Sequence, residues 1–121
     1  MKLTQKQAID AYRVVRKLEN QDMPSEYAMA LFHARKALEP QFQFQNEQEQ
    51  NMLRTLGCQV GDIGEIQFPS DEAREKYIAK MEEIGDLEVD IKLKKETIGV
   101  KGLVLSAKDL ESLDFIAKIV C

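Results

Sequence analysis

Two amphipathic stripes separated by a short break restrict what the first half of this chain can fold into. Ile9, Tyr12, Val15 and Leu18 recur at helical spacing, with Arg13, Arg16 and Lys17 on or beside the wetter face. Asn20-Gln21-Asp22-Met23-Pro24 interrupts the pattern, and Tyr27, Leu31, Ala34, Leu38 and Phe42 then resume it in steps of three or four. A helix with one apolar stripe must bury it against another element, so two such stripes joined by a few residues predict a helical hairpin.

The ends of these helices are written in local chemistry. Thr4 followed by Gln7 forms a capping box, and the first helix should run from there to about Asn20 or Gln21. Asp22 or Ser25 is placed to cap the second. Pro40 falls inside the second stripe, where it removes one backbone donor and crowds the preceding turn, so a kink or a break is expected there. Met52, Leu53 and Leu56 restore an apolar face before Gly57, which predicts one long kinked helix ending at a glycine cap. The alternation Gln41-Phe42-Gln43-Phe44-Gln45 also admits a short strand.

The second half changes period. Glu65-Ile66-Gln67-Phe68 predicts a short edge strand stopped by Pro69, and Ser70 with Asp71-Glu72 starts a third helix. That helix buries Ala73, Tyr77, Met81 and Ile84 and ends at Gly85. Val89, Ile91 and Leu93 alternate with Glu88, Asp90, Lys92 and Lys94 as a half-buried strand, and Leu103-Val104-Leu105 predicts another. Ser106 and Asp109 then cap a last helix carrying Leu110, Leu113, Ile116 and Val120.

The predicted class is α+β: a helical hairpin over residues 1–57 with a long kinked second helix, then a small two- or three-stranded sheet with two further helices over 58–121. At 121 residues the whole chain is read as one domain. The net charge of -4 disfavours an extended grip on nucleic acid, although a local basic patch is compatible with it. No apolar run is long enough to span a bilayer, and Met1-Lys2-Leu3-Thr4-Gln5-Lys6 turns polar at once, so a cytoplasmic setting is expected. Cys58 and Cys121 are read as free thiols in a reducing compartment.

Few residues carry a chemical signature. Gly57-Cys58-Gln59-Val60-Gly61-Asp62-Ile63-Gly64 lacks both the spacing of a dinucleotide fingerprint and a Gly-Lys-Ser/Thr ending, and is read as an ordinary turn. His33, the only histidine, has no serine or cysteine nucleophile at a telling spacing. Asp86, Glu88 and Asp90 share one side of an extended segment and could converge on Mg²⁺ or Ca²⁺, but the same face continues with Lys92 and Lys94, as a solvated strand face does. The hairpin holds the densest mixture of cations and rings: Tyr12, Arg13 and Arg16, then Tyr27, His33, Arg35 and Lys36. Arginine forks pair with phosphate and rings stack on bases, so these seven are the candidate ligand-binding residues. Phe42 and Phe44, set among amides, are the candidate interface residues, since a hairpin of this length suits a homo-oligomer.

The Leu3-Thr4 start, the Met23-Pro24 break, the Leu56-Gly57 helix end and the segment Leu105-Ser106-Ala107-Lys108-Asp109-Leu110-Glu111-Ser112-Leu113 resemble small phage-encoded accessory proteins of unknown function. The resemblance implies a viral setting in a host bacterial cytoplasm and assigns no catalytic residue. The resulting expectation is a non-enzymatic phage protein, without cofactor or metal, that counters a bacterial defence by binding. It would sequester a cyclic-nucleotide or ADP-ribose-type signal in an oligomer, or block a host defence protein. The alternatives are a morphogenesis or scaffold protein that binds other virion proteins, and a metal-dependent nucleotide hydrolase acting through Asp86, Glu88 and Asp90.

Overall fold

The computed structural model describes all 121 residues and shows a mixed α+β fold with a helical hairpin at its N-terminal end. A short strand, β1 (Lys2–Thr4), leads into α1 (Gln5–Leu18), whose capping box is formed as the sequence predicts: Gln7 N–H donates to Thr4 Oγ1 at 3.1 Å and Thr4 N–H to Gln7 Oε1 at 2.9 Å. The helix ends two or three residues earlier than expected. α2 (Ser25–Thr55) then runs without interruption for 31 residues, roughly 46 Å at 1.5 Å per residue.

Pro40 lies inside α2 without ending it, and Gln41–Gln45 are helical, so the strand alternative does not hold. The buried Gln5 side chain clamps the turn just after the proline, donating through Nε2 to the Gln41 carbonyl at 2.8 Å. Neither Asp22 nor Ser25 caps α2; Tyr27 and Ala28 donate instead to the Pro24 carbonyl. Gly57 ends the helix as predicted, at φ 72°, with Cys58 N–H bonded to the Leu53 carbonyl and Gly57 N–H to that of Arg54. This is the two-bond closure that a left-handed residue permits.

The glycine-rich turn is a small hairpin of β2 (Gln59–Val60) and β3 (Ile66–Gln67). Ser70 caps α3 (Asp71–Asp86), with Ala73 N–H donating to Ser70 Oγ at 3.1 Å. Gly85 sits in the last turn and does not end the helix, because its φ is not positive and the chain leaves through the extended Leu87. Only Ala73 and Ile84 of the α3 stripe are buried, while Tyr77 and Met81 are half-buried.

β4 (Glu88–Asp90) pairs antiparallel with β1, with Leu3 opposite Val89. The inside-outside alternation continues beyond the ladder: Ile91 is buried and Leu93 half-buried, while Lys92 and Lys94 face solvent. The last part of the chain is a parallel crossover of β5 (Glu96–Gly99), α4 (Ala107–Asp114) and β6 (Ala117–Val120), with Ile98 opposite Ile119.

Two expectations fail in this crossover. Leu103–Leu105 is not a strand; the Gln21 side-chain amide takes the place of a neighbouring strand, accepting from Val104 N–H at 2.8 Å and donating to its carbonyl at 3.2 Å. The last helix does not reach Val120. It stops at Asp114, and the branched run after it pairs with β5, which satisfies its backbone groups while Ile116 and Ala117 stay buried. Leu3, α1, α2, Ile91, Ile98, Leu113, Ile116 and Ala117 contribute to one apolar cluster, so the core draws on both halves of the chain. No helix is long and apolar enough to cross a membrane.

Candidate functional site

Two depressions of the surface gather charged side chains, and they differ in charge. The first is a cleft of about 650 Å³ between α1, α2 and α3. Lys6 and Arg13 line it together with Asp10, Glu49, Glu82 and Asp86, so carboxylates outnumber cations and the cleft repels anions. Tyr77 O–H donates to Glu49 Oε1 across its wall at 3.0 Å. Burial, then the hydrogen bond to Glu49 and its negative charge, push the Tyr77 phenol from 10.0 up to about 12.

The second is a groove of about 460 Å³ between the middle of α2 and the segment joining β4 to β5. The helix supplies His33, Lys36 and Ala37, which lie on one face by their spacing, the segment supplies Lys92, Leu93 and Lys94, and Glu96 comes from the start of β5. Strand-like alternation turns Leu93 inward and sends the lysines on either side of it outward. Lys36, Lys92 and Lys94 make no ion pair with any carboxylate of the chain. Glu96 is committed to His33, whose Nδ1 lies 2.9 Å from its Oε2. A carboxylate accepts only, so the imidazole N–H is the donor. The groove is thus a local basic patch on an acidic protein, suited to hold an anion by several ammonium groups at once.

The nine candidate residues separate in space. His33 and Lys36 meet in the basic groove, and Arg13 lines the acidic cleft. Tyr12 is only 8% exposed and stacks on Phe42, so both rings belong to the hairpin's own packing. Phe44 stands at the surface, 36% exposed. Tyr27 packs against Gly99 of β5. Arg16 pairs with Glu19 at 3.4 Å, and Arg35 pairs with Glu19 at 2.6 Å and Glu39 at 3.8 Å. The Arg35 Nε and Glu19 Oε1 atoms are close but poorly aligned for a hydrogen bond, so the contact is an ion pair.

Lys92, Lys94 and Glu96 are the groove residues that sequence reasoning missed. The signal was present in Lys92-Leu93-Lys94-Lys95, a dense basic run in an acidic chain. Asp86, Glu88 and Asp90 do not converge: Asp86 lines the acidic cleft, Glu88 meets Lys2 at 3.4 Å and Asp90 the Met1 ammonium at 3.6 Å. No group of three potential metal ligands is assembled anywhere in the chain.

The class these features define is a mixed α+β protein with a helical hairpin and one basic groove. Comparison with known protein families, curated proteins and solved structures finds no match.

Proposed function

We propose that this chain acts by binding, and that the groove of His33, Lys36, Lys92 and Lys94 takes a small phosphate-bearing ligand. One observation carries the reading: three lysine ammonium groups without carboxylate partners gather at one depression of a chain whose net charge is -4. Unpaired like charges repel, and an anion bound among them relieves that repulsion. In the phage setting that the sequence resemblance implies, the ligand is a cyclic-nucleotide or ADP-ribose-type signal. The protein, as a homo-oligomer, withdraws it from a bacterial defence. Calorimetry with cyclic nucleotides and ADP-ribose tests this. Binding of at least one of them, weakened about tenfold or more by Lys92→Gln with Lys94→Gln, is the expected result, because the double variant removes two charge-assisted contacts. A folded sample that gives no heat with any of them removes the reading.

A second reading, as an assembly protein that docks on other virion proteins, draws support from the β2–β3 hairpin, where Ile63 is 90% and Val60 55% exposed. Apolar side chains held out on a tight turn suit a partner's pocket. That version predicts co-purification with capsid or tail proteins, abolished by Ile63→Asp. A chain that retains no virion protein dismisses it.

A further inference from the structure

We infer that a nucleotide sits astride the ridge formed by Phe32 and Lys36 on α2, its phosphate among Lys36, Lys92 and Lys94 and its base stacked on the Phe32 ring. This rests on the anion-binding reading of the groove and adds the surface that recognises the base of a nucleotide. Phe32 is a large apolar side chain left 44% exposed on a helix whose inner face is already filled. Lys36 follows it by one turn on the same strip of surface, with Nζ 5.9 Å from the ring centroid, and also lines the basic groove. One side chain therefore joins the aromatic surface to the anion site.

Phe32 also lines a cavity of about 190 Å³, bounded by Met23, Leu31, Gln21 and Arg35 among others. The Arg35 guanidinium carbon is 5.5 Å from the centroid of the same ring, and Glu19 holds that guanidinium in place. An apolar wall, an aromatic face and fixed polar groups at the rim are what a base needs, whereas inorganic phosphate needs only the lysines. A phosphate that draws the Lys36 ammonium into the groove also moves it off Phe32, which frees ring surface for the base. The two halves of a nucleotide thus favour the same movement of one lysine.

The test is calorimetric titration of the full chain with adenosine 5′-monophosphate and with ribose 5-phosphate, repeated on Phe32→Ala and Phe32→Trp, with circular dichroism as a check on folding. The mononucleotide is expected to bind about tenfold more tightly than the sugar phosphate, the increment of one base stacked on one ring. Phe32→Ala should remove that advantage and leave ribose 5-phosphate binding unchanged, while Phe32→Trp should keep it. Equal affinities in the parent chain, or an advantage that survives Phe32→Ala, overturn the base platform and leave the anion groove standing. If neither compound binds, this inference fails, and the titrations with cyclic nucleotides and ADP-ribose decide separately whether the groove reading stands.

Discussion

Tyr12 of α1 and Phe42 of α2 stack across the hairpin, with ring centroids 4.4 Å apart and planes inclined by 21°. The contact lies beside Pro40, where α2 lacks a backbone donor, and close to the Gln5 bond to the Gln41 carbonyl. Stacking and burial therefore reinforce the helix where the proline leaves one of its backbone hydrogen bonds unmade. Phe42→Ala is expected to destabilise the fold by about 2–3 kcal/mol, below the full cost of a buried phenylalanine because the ring is only half-buried. Urea unfolding checks this. The loss should not depend on protein concentration, whereas an interface role for Phe42 would make it do so.

Gly99 is required by a side chain 72 residues away in the sequence. A Cβ at this position would approach the Tyr27 ring to 2.6 Å, closer than atoms can pack without movement. Gly99→Ala should cost about 1–3 kcal/mol, and adding Tyr27→Ala should recover part of it. Urea midpoints of the two single variants and the double variant give the coupling. Strict additivity would show that the glycine serves some other purpose.

The start of α4 is tied to α1 through Asp109, which accepts from Ser106 N–H at 3.1 Å and from Lys17 Nζ. The Lys17 hydrogen bond, then the Ser106 backbone bond, hold its carboxyl below the ordinary 3.8. A lowered folded-state value means that the stabilisation is complete above 3.8 and is lost as pH falls through the lower folded value. Thermal unfolding should therefore decline more steeply below about pH 4 for the parent than for Asp109→Asn. Ser106→Ala, which removes the cap itself, should cost about 1 kcal/mol at neutral pH.

Tyr77 has the opposite sign. Its phenol is raised to about 12, so the folded chain keeps a proton that the unfolded chain releases near 10.0, and stability falls as pH rises between the two. Ultraviolet titration should show one of the three tyrosines ionising later than an ordinary phenol. Glu49→Gln removes the charge and the ionised acceptor, and should move that late transition toward 10.0 while leaving the part due to burial.

The groove was only half visible in the sequence. His33 and Lys36 stood out for their residue types, but Tyr12 and Arg35 stood out for the same reason. Folding sends the first into the core and the second to Glu19 and Glu39. Lys92 and Lys94 read as the wet face of a strand, and their exposure does agree with that. What could not be read is that the wet face would come to lie beside the exposed side of α2, 56 residues earlier than Lys92 for Lys36. Charge proximity is a property of the folded chain, because it depends on which surfaces the core leaves adjacent.

By itself the sequence determined the features whose partners lie within a few residues. These are the capping boxes at Thr4 and Ser106, the Ser70 cap, the closure at Gly57 and the apolar periods of α1 and α2. Such bonds close over three to five residues and cost little chain entropy, so local chemistry suffices. Tertiary structure alone decided the pairing of β1 with β4, the parallel ladder that ends α4 at Asp114, and the use of Gln21 in place of a strand beside Val104. A strand's donors and acceptors have no partner within their own segment. Whether Ile116 to Val120 continues a helix or forms a ladder depends on whether Glu96–Gly99 arrives alongside.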